Sequence, residues 1–167
     1  MGKIKILLLV LMVVISFSAC EKDDICVDGD TPLMIIRFYD NDNPSELKAV
    51  PNLRIIGLGQ SSTVNTIADR TSLDSVALPL RINEVNTSFI FISDSADEDD
   101  LETGNIDTLR FDYSTQEIFI SRACGYIANY DDLSETITSD SENWIQNIEI
   151  VSPLIKLQDS AHVKIYH

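Results

Sequence analysis

The sequence predicts an all-β protein, an antiparallel β-sandwich, and three observations carry that expectation. After residue 30 the chain is a series of short apolar or alternating runs. Asn, Asp, Ser, Gly and Pro punctuate them, the residues that make turns. The runs themselves are rich in Ile, Val, Phe and Thr, side chains that fit a pleated, half-buried surface.

Nine segments answer to this description: LMIIRFY (33–39), NLRIIGL (52–58), STVNTIA (62–68), SVALPLRI (75–82), TSFIFIS (87–93), IDTLRFDYS (106–114), EIFISRA (117–123), IQNIEIV (145–151) and AHVKIYH (161–167). In TLRFDYS, Leu109, Phe111 and Tyr113 share one face and Arg110 and Asp112 the other, the period-two pattern of a strand with one face buried. FIFI (89–92) is apolar on both faces and is expected in the middle of the fold. Pro79 cannot donate to a ladder and points to an edge or a bulge, where it also discourages strand-to-strand aggregation. In DSENWIQNIEIV, Ser141 could cap a helix carrying Trp144, Ile145, Ile148 and Val151, but Ile148 and Ile150 also alternate, and strand is favoured from Gln146 onward. GYIANYDDL, after Cys124, shows no clear strand period and reads as loop-rich. No solenoid-length repeat is present. The architecture expected is immunoglobulin-like or transthyretin-like in general outline.

Organisation is set by the N-terminus. Lys3 and Lys5 precede the apolar run ILLLVLMVVI, and small residues lead into Cys20. That run is shorter than the ~20 apolar residues a spanning helix needs and has a small-residue exit, the layout of a signal peptide. Phe17, Ser18, Ala19 and Cys20 resemble the lipobox of bacterial lipoproteins, with phenylalanine where leucine is commoner. The resemblance implies acylation of the Cys20 thiol. Glu21, Lys22, Asp23 and Asp24 look like the Lys-then-acidic export signal of Bacteroidota-type lipoproteins, which implies an outer-membrane location, lipid-anchored and cell-surface exposed, with the periplasmic face as the alternative. The expected divisions are 1–19 signal peptide, 20–30 lipidated acidic tether and 31–167 a single β-sandwich domain. Removing residues 1–19, which carry two lysines, takes the formal net charge from −15 to −17. So acidic a chain repels nucleic acid and anionic head groups.

Cys26 and Cys124 then remain. An even pair in an exported chain reads most simply as one disulfide, and the functional rival is a redox or metal pair. Neither cysteine lies in a C-x-x-C spacing. A disulfide here would hold the folded domain within roughly 20 Å of Cys20, because an extended chain spans at most ~3.3 to 3.6 Å per residue.

The segments CEKDDICVDGDTPLMIIRFYD, VPNLRIIGLG, VNTIADR, DTLRFDY, FISRACGY, NWIQNIEIV and HVKIYH, in this order, resemble a domain-of-unknown-function family of small Bacteroidota lipoproteins. The resemblance covers nearly the whole chain after Cys20. It implies that Cys26 and Cys124 are family features, and it implies no activity.

Catalytic templates find little purchase, and no catalytic residue is assigned. His162 and His167 are the only histidines; no G-x-S-x-G elbow accompanies them. His162 is expected to be exposed, on the strand face opposite Val163 and Ile165. Asp94, Asp97, Glu98, Asp99, Asp100, Glu102 and Asp107 crowd one expected loop and offer the hard oxygens calcium prefers, with Asp97, Asp99 and Asp100 the candidates. EF-hand spacing fails there, since Glu102 stands where glycine is required. Asp40 and Asp42 form a second acidic turn. Solvated loop is the default for both, so no metal and no cofactor is expected. Gly57 and Gly59 are a fragment of a dinucleotide fingerprint and read better as a strand end or turn. Aromatics do not interleave with basic residues, which removes a single-stranded nucleic-acid platform. Tyr126, Tyr130 and Trp144 could stack on a sugar, although core packing suits Trp144 better. The triplets beginning at Asp74, Asp94, Asp107 and Asp159 resemble the Bacteroidota O-glycosylation pattern.

Two functional classes follow. The leading expectation is a non-enzymatic envelope module, bound to the membrane through its lipid, with a protein or glycan of the envelope as partner. The alternative is a small carboxylate-dependent hydrolase or carbohydrate-active accessory protein using Asp131, Asp132 and Glu135, which would need environments that split their pKa values.

Overall fold

The computed structural model describes residues 2–5, 25–26, 29–99 and 101–167. In chain order the strands are β1 Met34–Tyr39, β2 Val50–Gly57, β3 Thr71–Leu73, β4 Ser75–Leu78, β5 Asn86–Ser93, β6 Asp97–Glu98, β7 Leu101–Glu102, β8 Asn105–Ser121, β9 Gly125–Ile137, β10 Asn147–Ile150 and β11 Val163–Tyr166. They form a four-stranded sheet of order β10-β11-β1-β4, a five-stranded sheet of order β3-β2-β5-β8-β9 and the small β6–β7 hairpin. By contacts the chain falls into two compact units, one of Met1–Gly29 with Phe119–Tyr126 and one of Asp30–Ile118 with Ile127–His167.

The larger unit is the sandwich, and its core is one cluster drawn from both sheets. Met34, Ile36 and Phe38 of β1, Val76 and Leu78 of β4 and Val163 and Ile165 of β11 meet Leu53 and Ile55 of β2, Phe89 and Phe91 of β5 and Leu109 and Phe111 of β8. Each such side chain contributes about 1.5 to 3 kcal/mol on full burial. The alternation read from TLRFDYS is observed: Leu109, Phe111 and Tyr113 are buried, Arg110 is exposed and Asp112 half-buried. β5 holds the centre of its sheet, in keeping with an apolar run on both faces. Pro79 follows the last residue of β4, the edge strand, so it ends a ladder without interrupting one.

The pairing is antiparallel with one addition. β1 and β11 run parallel, Ile36 opposite Val163 and Phe38 opposite Ile165, at the centre of their sheet. The chain thus closes by laying its last strand beside its first.

Three expectations about elements need correction. Residues 62–68 form a turn-rich loop with only a bridge from Thr63 to Ile56, and the Thr63 hydroxyl donates to Asp69 at 2.6 Å across that loop. Residues 117–123 are no separate strand, since most of them prolong β8 to 17 residues. The supposed loop after Cys124 is β9, 13 residues long. Its period was hidden by a bulge: Tyr130 and Leu133 are both buried, and between them Asp132 adopts φ 55°, adding one residue and shifting the phase. β2 uses the same device, with Val50 and Leu53 buried around Asn52 at φ 43° and a register shift against β3. Residues 147–150 are strand, and Ser141 caps no helix. Gly57 ends β2, and Gly59, at φ 84°, makes the turn that follows.

Candidate functional site

Cys26 and Cys124 are joined as a disulfide, with Cα atoms 4.9 Å apart, within the smaller unit. The bond sits at the tip of the β8–β9 hairpin, whose strands are connected by residues 122–124. The Cys124 N–H donates to Ser121 Oγ at 3.1 Å, tightening that turn. Gly29 packs against the sulfurs so closely that a Cβ would lie 2.7 Å from Cys124 Sγ. Cys20, Glu21, Lys22, Asp23 and Asp24, with residues 6–19 of the expected signal peptide, lie outside the described residues.

The acidic stretch 94–107 resolves into different environments. Asp97 pairs with Arg70 at 2.6 Å, while Asp99 is exposed at φ 52° and Asp100 lies outside the described residues. Among the described residues no group of three His, Cys, Asp or Glu is placed to hold a metal ion. Glu102 is the centre of a network: it accepts from Ser95 Oγ at 2.9 Å, from the N–H groups of Ala96 and Gly104 at 3.2 Å, and from Arg54 at 3.2 Å. Partial burial opposes its ionisation, but the Gly104 N–H, Ser95, Arg54 and Arg70 outweigh that and hold its carboxyl below the usual range. The network ties the β6–β7 hairpin to β2. Gly104 is required sterically, since a Cβ would meet Ile92 Cγ2 and the Ser93 carbonyl at 2.6 Å.

Asp107 belongs to neither a loop nor a metal site. It is fully buried and receives Asn143 Nδ2 at 2.6 Å and the Ile145 N–H at 2.8 Å, so it fastens the 138–146 connection to β8. Sequence reading could have separated it from its neighbours by register: Asp107, Leu109, Phe111 and Tyr113 share one face.

His162 corrects the exposure expected of it. It is buried, its Nδ1 accepts the Ile35 N–H at 2.9 Å, and its own N–H donates to the Ile35 carbonyl at 2.9 Å. Nε2 therefore carries the proton in the neutral ring. Burial lowers its pKa, as it does that of His167, whose ring meets Phe38 and Trp144 edge-on. Both histidines serve packing.

The supposed sugar-stacking residues have different settings. Tyr130 is fully buried, donates to the Leu80 carbonyl at 3.1 Å and stands 5.1 Å from the Tyr113 ring; desolvation pushes its pKa up to about 12. Trp144 packs against Phe38. Tyr126 is exposed, with the Phe119 ring 5.3 Å away in the smaller unit. Of the candidate acids, Asp131 accepts from Gln116 at 2.9 Å and Asp132 from Ser114 at 3.1 Å.

Glu135 has a different setting. It lines a groove of about 360 Å³ with Thr136, Ile137, Ile145, Gln146 and Ile148. The groove runs between β9 and β10, which are edge strands of their respective sheets. Tyr130 and Leu133 turn their N–H groups outward to the carbonyls of Ile155 and Pro153. By the period of two, Glu135 and Ile137 also point outward, beyond the reach of that cover. Across the groove, the Val151 N–H bonds the His162 carbonyl, so the backbone groups of Ile148 and Ile150 face away from β11. Two open strand edges thus flank one groove, a geometry that can take an extended segment through main-chain hydrogen bonds.

Residues 52–167 match the model of DUF6452, a family of unknown function, and the chain belongs to that family. No curated protein matches the chain. No solved structure matches it either.

Proposed function

We propose that this DUF6452 chain is a lipid-anchored module of the cell envelope, a Bacteroidota-type outer-membrane lipoprotein that binds an extended segment of a partner and performs no chemistry. The observation that carries the binding half is the groove between β9 and β10, flanked by strand edges whose backbone groups face outward. A partner strand there would gain affinity from main-chain bonds and selectivity from alternate side chains. The anchoring half rests on Phe17, Ser18, Ala19 and Cys20 and on the Lys-acidic segment after them.

Binding rather than catalysis is supported by two carboxylates whose surroundings favour the ionised form. A general acid at neutral pH needs a raised pKa. Asp40 is held below the ordinary range by its hydrogen bond to Lys48 and by the Asp42 N–H, and Glu102 is lowered as well. Such acids stay ionised and serve as acceptors. The formal charge of −15 disfavours nucleic acid as a partner.

Anchoring is tested by growing cells with a clickable fatty acid. The natural chain is expected to take up the label, to begin at residue 20 by intact mass and to sediment with membranes, while Cys20→Ala is released unlabelled. Recovery of the natural chain with residues 1–19 attached would end the reading. Protease treatment of intact cells then distinguishes the outer from the periplasmic face. For the groove, Ile148→Pro, which blocks a main-chain donor at an outward position, is expected to abolish capture of the envelope partner, whereas Ile148→Ala, which removes the side chain packed against the core and keeps the donor, is expected to lower the melting temperature and retain capture.

A further inference from the structure

The smaller unit gathers apolar side chains that the sandwich core does not use. Ile25 is 81% exposed, Phe119 55%, Ile120 37% and Tyr126 69%. All four lie within the hairpin tip or beside the disulfide that fastens Cys26 to it. Folded domains normally scatter exposed apolar residues singly, and a cluster of them marks a contact surface.

Charge within residues 118–126 is also unlike the rest of the chain. Residues 118–126, IFISRACGY, contain one charged side chain, the exposed Arg122, in a protein with 27 acidic residues and 12 basic ones. Glu21, Asp23, Asp24 and Asp28 flank Cys26 in sequence, so a contact with anionic head groups falls to residues 118–126, which lack acids and carry a guanidinium. Phenylalanine and tyrosine beside an arginine are also the residues that settle at a membrane–water boundary, with apolar rings below and polar ends in the head groups.

The chain leading to the tip supplies the occupant. Cys26 lies six positions after Cys20. At ~3.3 to 3.6 Å per residue, an acyl-cysteine at position 20 keeps the disulfide within about 20 Å of the bilayer. We propose that the β8–β9 hairpin tip, through Phe119, Ile120 and Tyr126, inserts into the boundary between head groups and acyl chains as a second, non-covalent membrane contact, with Arg122 on lipid phosphate. This inference rests on the reading of Cys20 as lipidated. The lipid supplies attachment and the tip supplies orientation, since a single point of attachment limits distance and leaves rotation free.

The test uses the full lipidated chain in phosphatidylcholine and phosphatidylglycerol vesicles, with and without bromine on the acyl chains near the head groups. Tyr126 is largely exposed, so Tyr126→Trp leaves packing intact and adds a reporter to the natural Trp144. The added indole emission is expected to shift to the blue and to be quenched by the brominated lipid, whereas the natural protein, reporting through Trp144 alone, keeps its emission. Flotation of the same vesicles reads the anchor separately. A chain that floats while the added indole stays unquenched overturns the tip contact and leaves the lipid anchor standing. A chain that does not float removes the anchor and the proposal with it. Phe119→Ser with Ile120→Ser gives a second arm: the variant is expected to float as before and to lose the quenching of an indole at position 126, and full quenching in it would also count against insertion.

Discussion

Phe111 and Phe119 lie on the same strand, β8, at positions of the same parity, and meet opposite surroundings. Phe111 is fully buried among the core side chains, with Phe89 6.4 Å away, whereas Phe119 is 55% exposed and faces Tyr126. One strand therefore serves two units held by different means, the first by burial from both sheets and the second by a covalent bond between Cys26 and Cys124. Sequence hydrophobicity alone does not separate the two phenylalanines. The difference lies in what the rest of the chain brings to each.

The comparison can be broken most severely at Phe111. Phe111→Ala is expected to destabilise the protein by about 3 to 5 kcal/mol in denaturant unfolding, because a large cavity opens where both sheets meet. Loss of the disulfide in Cys26→Ser with Cys124→Ser is expected to cost about 2 to 4 kcal/mol, with ~4.7 kcal/mol as the ceiling for a loop of about 100 residues. The two losses should also be distributed differently: amide exchange under native conditions is expected to rise in the tip of the disulfide variant and to stay slow in β5.

Acidification sharpens the same contrast. His162 has a folded pKa below its unfolded value of 6.5, chiefly because burial disfavours the charged ring, and His167 shifts the same way for the same reason. The unfolded chain binds more protons in that window, so the stabilisation is present above pH 6.5 and is lost as the pH falls through 6.5 toward the folded values. Glu102 and Asp40, both held below the ordinary carboxylate range, contribute only at lower pH. A melting series on either side of pH 6.5 checks this, with His162→Asn expected to flatten the slope. The smallest effect is expected at Phe119→Ser, within about 0.5 kcal/mol of the natural protein, as for an exposed side chain away from any core. A larger loss would show that the tip is packed and would dissolve the distinction.

Much of the fold was legible in the chain because its signals are local. The alternation of Leu109, Phe111 and Tyr113, the doubly apolar FIFI and the stop at Pro79 each report on neighbours within one strand. β9 escaped for an equally definite reason. Its buried positions run Ala128, Asn129, Tyr130 and then Leu133, so a buried polar side chain and the extra residue at the Asp132 bulge both break the period of two that reveals a strand. The groove escaped with it, since one of its walls is β9. His162 was misplaced because its burial depends on a main-chain partner, Ile35, 127 positions away.

By itself, then, the sequence determined that the protein is built of strands, which of their faces turn inward, and that two cysteines remain to be joined after the first. Those properties follow from the side chains of each segment and the pleat of the backbone. Tertiary structure alone decided that the last strand lies parallel to the first, that Asp107 and His162 are interior groups, and that two strand edges open onto one groove. These depend on which distant segments meet, and pairing between distant segments is set by the joint burial of both sheets, a quantity no single stretch of residues carries.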